Sequence, residues 1–203
     1  MTGTRFALLR PEFAAARTEA LAARRDRASL NDILVTVGAV DQSGIVPAVL
    51  SGLDRAGFTG TVEVVGLGVA ADGDHPYTLR VVTHAQDMAR RMAAADLAIG
   101  ACGVTSWERC CLGLPTLAII TAENQRQIAN ALDAAGAARL VDPATPGAIA
   151  KAVSQLLKDP GRLRRMSAAA ADVCDGRGAE RAADAFNALA RDRDPAQSAG
   201  ATA

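Results

Sequence analysis

Residues 96–115, DLAIGACGVTSWERCCLGLP, decide the fold. The opening DLAIG is a short apolar run ending in glycine, which is how a strand buried on both faces of a parallel sheet reads. Gly103 lets the backbone turn, and Thr105 followed by Glu108 fits the S/T-x-x-E box that opens a helix. Gly113, Leu114 and Pro115 then stop that helix. Strand, glycine turn and helix in immediate succession are the repeating unit of an α/β sheet.

The same alternation continues on both sides. Upstream, an extended opening closed by Pro11 leads to a helix over residues 13–28, a strand DILVTVG, a helix over residues 43–56, strands TVEVVG and YTLRVVT, and a helix AQDMARRMAAA. Downstream come a strand TLAII, a helix over residues 123–135, a short strand ARLV, and helices over residues 145–157, 161–173 and 178–190. This order predicts an α/β fold, a Rossmann-like open parallel sheet with helices on both faces. Residues 1–28 form a linker-like segment and helix, residues 29–192 the main domain, and residues 193–203 a small, polar, disordered tail.

Composition narrows the possible partners. The chain has 203 residues, 22 basic and 22 acidic, and its aromatic content is 3%. A balanced charge sets up no field for nucleic acid or an anionic membrane, and so few aromatics cannot build a base-stacking platform. No apolar run is long enough to span a bilayer and no signal-peptide core opens the chain, so the expected location is the cytoplasm. Cys102, Cys110, Cys111 and Cys174 form no C-x-x-C pair, and His75 and His84 lie far from them, so buried reduced thiols are expected and no metal or cofactor. Cys110 and Cys111 are about 100° apart on a helix, which suits two packing contacts better than one shared metal.

In an open parallel sheet the ligand sits beyond the carboxyl ends of the strands, and three loops there carry glycine. Gly38 to Gly44 follow the first strand, Gly66 to Pro76 the second and Gly100 to Ser106 the fourth. Gly66, Gly68 and Ala71 formally fit the dinucleotide fingerprint, but Asp72, Gly73, Asp74 and Pro76 break the helix that motif requires. In the third loop, the amides of Ser106, Trp107 and Glu108 are expected to point from the helix end toward an anion such as phosphate. The competing reading is that Thr105 and Glu108 satisfy each other's backbone donors as a plain capping box. After the fifth strand, Glu123, Asn124, Gln125 and Gln127 offer donors and acceptors suited to sugar hydroxyls, or serve only as a polar first turn.

The segment ADLAIGACGVTSWERCCLGLP with the following ENQ resembles the carboxyl-terminal half of the UDP-sugar hydrolases of the pseudaminic acid pathway. RFALLRPEF resembles the segment joining their two domains and DGRGAERAADAF their last helix, so the likeness runs over nearly the whole chain. More distantly, Glu108, Gly113-Leu114-Pro115, Gln127 and Asn130-Ala131 resemble the nucleotide-binding half of the GT-B N-acetylglucosaminyltransferase of peptidoglycan synthesis.

The resemblance implies the carboxyl-terminal domain of a GT-B fold that binds UDP or a UDP-sugar. UDP would be held by Gly38, His84, Ala85, Gly100, Gly103, Val104, Thr105, Ser106 and Glu108, with Glu108 on the ribose and His84 and Ala85 near uracil. Asn124, Gln125 and Gln127 would face the sugar. The chain departs from the hydrolase pattern in its first loop, Gly38-Ala39-Val40-Asp41, and in lacking a histidine that matches the family's general base. The resemblance therefore implies a binding half whose base comes from a separate amino-terminal-domain protein. Two alternatives stand beside the hydrolase: the donor-binding half of a split glycosyltransferase, and a non-catalytic remnant.

Overall fold

The computed structural model describes residues 3–27, 29–38, 41, 44–67 and 73–193. Ala39, Val40, Gly68, Ala71 and the tail from residue 194 lie outside the described residues. Six strands form one sheet: β1 (Asp32–Thr36), β2 (Thr61–Val65), β3 (Thr78–Val82), β4 (Leu97–Ala101), β5 (Thr116–Ile119) and β6 (Ala138–Leu140). All neighbours are parallel, in the order β3-β2-β1-β4-β5-β6. The chain first builds outward from β1 to β3 and then returns to build from β4 to β6. The direction of winding reverses between β1 and β4, where Thr36 stands beside Gly100.

The helices are α1 (Pro11–Asp26), α2 (Ile45–Ala56), α3 (Met88–Ala94), α4 (Thr105–Cys111), α5 (Arg126–Ala134), α6 (Pro146–Lys158), α7 (Pro160–Val173) and α8 (Gly178–Arg193). Strand alternation sends Ile33, Val35, Leu97, Ile99, Leu117 and Ile119 into a core closed by α2 and α6. On the opposite face Leu34, Ala98 and Ala118 meet side chains from α1, α3, α4 and α5. The sheet is thus covered on both faces along β1, β4 and β5, as their near-continuous apolar sequences require, while the edge strand β3 is largely exposed.

Three local details differ from the sequence expectation. The extended opening contains a 3-10 turn, Thr4–Phe6, and Pro11 begins α1 instead of closing the segment before it. Proline's fixed φ and missing N–H suit a first helical position, where that N–H has no intrahelical partner anyway. The helix expected over residues 123–135 is a 3-10 turn, Glu123–Gln125, followed by α5.

Arginines of α1 hold the second face together. Arg24, buried, donates from Nε to the Leu112 carbonyl at 2.8 Å, from Nη1 to Ala95 at 2.7 Å and from Nη2 to Met92 at 2.6 Å. Arg17 donates to the carbonyls of Cys111 at 2.6 Å, Cys174 at 2.9 Å and Ala171 at 2.8 Å. These carbonyls lie at the carboxyl ends of α3, α4 and α7, which are unsatisfied within each helix and carry partial negative charge. Two guanidinium groups therefore cap three helix ends and bind α1 to the layer beneath it.

Candidate functional site

The carboxyl ends of β1 to β4 open into a cleft of about 410 Å³. Thr36, Val37 and Gly38 form its wall after β1, Val65 to Leu67 after β2, Thr83 to Ala85 after β3, and Ala101 with Gly103 to Thr105 after β4. Gln125 closes the rim. The cleft lies at the reversal between β1 and β4, where an open α/β sheet leaves a crevice between diverging loops.

The helix end after β1 is already occupied. Asp41 accepts from the amides of Ile45 at 2.9 Å and Val46 at 2.8 Å, so a carboxylate of the chain itself neutralises the start of α2. At α4 the arrangement differs from both sequence readings. The residue before the helix, Val104, is itself helical and caps nothing with its side chain. Ser106 donates its amide to the Gly103 carbonyl and Trp107 to that of Val104, each at 3.0 Å. The amides of Ser106 and Trp107 are therefore spent inside the turn, and Thr105 and Glu108 form no reciprocal box. Among the described residues no acceptor takes the amides of Gly103, Val104 or Thr105, which lie one to three residues earlier than expected and belong to the cleft wall.

Of the residues expected at the site, the cleft brings together Gly38, His84, Ala85, Gly103, Val104, Thr105 and Gln125. Gly100 lies under the sheet's edge, where an added Cβ would collide with the Thr36 carbonyl and the Arg109 guanidinium. It is a packing glycine. A Cβ on Gly103 would meet nothing, so that position is open toward the cleft. Ser106 is buried, and its hydroxyl accepts from Arg109 at 3.1 Å, so its side chain is turned away from any ligand.

Glu108 does not line the cleft. Its carboxylate, 13% exposed, stands 3.9 Å from the Arg10 guanidinium, and burial raises its pKa despite the attraction of Arg10 and Arg109. Thr105 and Glu108 are three residues apart, on one face of α4, so Glu108 lies one helical turn beyond the cleft wall. Asn124 and Gln127 are exposed outside the cleft, while Gln125 accepts at Oε1 from the Thr121 amide and hydroxyl, both at 3.1 Å.

The remaining sequence candidates fall elsewhere. His75 pairs with Asp54 at 2.9 Å and stacks on Tyr77, ahead of β3 at the opposite end of the strands. Burial pushes the thiols of Cys110 and Cys111 up to about 12 and about 11, so both are protonated at neutral pH. Among the described residues no group of three His, Cys, Asp or Glu is placed to hold a metal, and no helix is long and apolar enough to cross a membrane.

Sequence reasoning passed over Arg109. It lies between Glu108 and Cys110 in a short helix, where an arginine ordinarily points to solvent, and no pattern of spacing marks it as buried. Its Nη2 donates to the Ala101 carbonyl at 2.7 Å and its Nη1 reaches Thr36 Oγ1 at 3.4 Å.

A sheet of this strand order, with an open cleft at its switch point, is a Rossmann-like nucleotide-binding fold. Residues 33–187 match the glycosyltransferase family 28 C-terminal domain, and the chain belongs to that family. It is 37% identical over 147 residues to the UDP-N-acetylglucosamine--N-acetylmuramyl-(pentapeptide) pyrophosphoryl-undecaprenol N-acetylglucosamine transferase of Mycobacterium tuberculosis, covering 67% of this chain and 35% of that protein. The enzyme of the same name from Phenylobacterium zucineum is 36% identical over 115 residues, 53% of this chain and 32% of that protein. The chain thus spans about a third of the length of these curated relatives.

Among solved structures, Acinetobacter baumannii MurG superposes with a TM-score of 0.72 at 19% identity, over 86% of this chain and 54% of that one. UDP-GlcNAc 2-epimerase from Neisseria meningitidis, bound to UDP-GlcNAc, superposes at 0.58 and 17%, over 85% and 49%. At such identities these structures share the fold. The comparisons place the chain on the glycosyltransferase side of the two resemblances and add nothing specific to a hydrolase of the pseudaminic acid pathway.

Proposed function

We propose that the chain is the donor-binding half of a GT-B glycosyltransferase and holds a UDP-N-acetylglucosamine-type nucleotide sugar in the cleft beyond β1 to β4. The observation that carries this reading is the turn Gly103 to Thr105, whose residues line the cleft, whose amides have no acceptor among the described residues and which has no side chain at Gly103. Membership of the glycosyltransferase family 28 C-terminal domain supports it. The diphosphate accepts hydrogen bonds from those amides, the base lies toward His84 and Ala85, and Gln125 stands on the sugar side with Asn124 and Gln127 at the outer rim. The ribose extends past Thr105 toward Glu108, one turn along α4.

In the reaction an acceptor hydroxyl attacks C1 of the sugar, the C1–O bond to the diphosphate breaks, and UDP leaves with the bonding electron pair. The acceptor and the base that takes its proton come from a partner domain, since a general base must reach the attacking hydroxyl directly or through one water. A hydrolase would use the same half with water as acceptor.

Gly103→Val tests the site directly. An added Cβ meets no protein atom within 4 Å and the backbone there is not left-handed, so folding should be unchanged while the cleft is filled. Titration with UDP, followed by heat or by the fluorescence of Trp107, the single tryptophan, should show binding by the wild type and none by the variant. Equal binding by both would remove this cleft from the assignment. Transfer to an added acceptor by the chain with its co-purified partner, without free sugar in its absence, would favour the transferase over the hydrolase.

A further inference from the structure

Arg109 is buried to 1% exposure and forms no ion pair with any described carboxylate. Its hydrogen bonds go to neutral oxygens, the Ala101 carbonyl at 2.7 Å, Ser106 Oγ at 3.1 Å and Thr36 Oγ1 at 3.4 Å, and its Nε has no partner. Removing a guanidinium from water this completely carries a heavy desolvation penalty that three neutral acceptors only partly offset. The side chain also points the wrong way for stability. It runs back along α4 toward Ser106 and Ala101, as helical side chains do, and so lies at the amino-terminal end, where the helix dipole is positive. An apolar side chain of similar volume would fill this space without either cost.

What the charge does have is position. Thr36 and Ala101, which Arg109 contacts, are cleft-wall residues at the ends of β1 and β4, and the turn Gly103 to Thr105 lies between Ala101 and Ser106, the two residues that Nη2 holds. Gly100 has no side chain beneath the guanidinium, and a Cβ there would displace it. The fold therefore reserves room for an unpaired positive charge directly under the floor of the cleft.

We propose that Arg109 is a positioning residue for an anion: it fixes Thr36, Ala101 and Ser106 in place and, without touching the ligand, provides the positive field by which the cleft prefers a nucleoside diphosphate to the bare nucleoside. The inference rests on the nucleotide-sugar reading and deepens it, because it names which part of the ligand this residue recognises. A buried charge with no counter-ion acts through little screening, so one group is sufficient to bias the site.

The test compares UDP with uridine on wild type, Arg109→Met and Arg109→Lys, at low and at moderate salt, with thermal melts to establish folding. Arg109→Met should weaken UDP by about tenfold or more, a size in keeping with one short-range charge in protein, and change uridine by less than about twofold. Arg109→Lys should fall between wild type and Arg109→Met. If Arg109→Met does not fold, Arg109→Gln, which keeps donors and drops the charge, gives the same comparison. UDP bound by the charge-free variant as tightly as by wild type overturns the inference and leaves the site intact. UDP and uridine weakened in the same proportion also overturns it, assigning Arg109 to support of the floor alone. Wild type that binds neither UDP nor pyrophosphate at millimolar concentration overturns the nucleotide reading and this inference together.

Discussion

Arg24 and Arg109 are both buried arginines on the same face of the sheet, and both have their pKa lowered by burial. Arg24 lies at the carboxyl ends of α3 and α4, where Nε, Nη1 and Nη2 each find a carbonyl within 2.8 Å. Arg109 lies at the amino-terminal end of α4, with neutral partners, one of them at 3.4 Å, and an orphaned Nε. The difference is one of helix polarity. At one helix end a cation completes the hydrogen bonding of the fold, and at the other it leaves an unspent charge, which is a resource only if something negative arrives.

The largest effect that tests this contrast is on Arg24. Arg24→Met should cost about 3 to 5 kcal/mol in denaturant unfolding, because it leaves three helix-end carbonyls without their donor at about 1 to 3 kcal/mol each. A loss below about 1 kcal/mol would mean that the capped carbonyls are satisfied without it, and the comparison would fail at its stable end.

Gly100→Ala comes next, at about 1 to 3 kcal/mol from overpacking against the Thr36 carbonyl and the guanidinium. A neutral outcome would show that Arg109 has room to withdraw and is not held under the cleft. Arg109→Met should leave stability within about 1 kcal/mol of wild type or raise it, because an apolar side chain replaces an uncompensated charge. A loss comparable to that of Arg24→Met would make the two arginines equivalent structural groups and break the contrast.

The smallest effect concerns pH and Glu108. If Glu108 were the hidden counter-ion of Arg109, its carboxyl would be held low and acid would remove stability. Burial instead raises it. A carboxyl whose pKa is higher in the folded state than in the unfolded one favours folding at low pH, and that contribution is lost as pH rises through the folded value. Glu108→Gln should therefore abolish a decline in stability on going from about pH 4 to about pH 7 in denaturant unfolding. A wild type that gains stability through that window by way of Glu108 would identify it as the missing partner.

Much of the fold is legible in residue order. DILVT, TVEVV and LAIGA are apolar and β-branched or small, each is followed by a glycine-bearing loop, and together with the helices between them they imply a parallel sheet. The Gly38, His84, Gly103 and Thr105 loops are legible as walls of one cleft for the same reason, since every strand end of a parallel sheet points to one edge. What failed was local. The S/T-x-x-E pattern at Thr105 is satisfied in sequence and not in space, because Gly103 and Val104 take the Ser106 and Trp107 amides first and the helix begins without a side-chain cap. Gly100 read as a cradle glycine because the pattern cannot say which side of the strand is crowded.

By itself the sequence determined the class of fold and which glycine-bearing loops gather at one edge of the sheet, since hydrophobic period and glycine placement are local properties carried along the chain. Only the tertiary structure decided which amides stay free, which glycine is packed and which charge is left without a partner. Those depend on groups far apart in sequence, Thr36 with Arg109 and Arg24 with Met92, and a side chain's burial and counter-charge are set by what the rest of the chain brings against it.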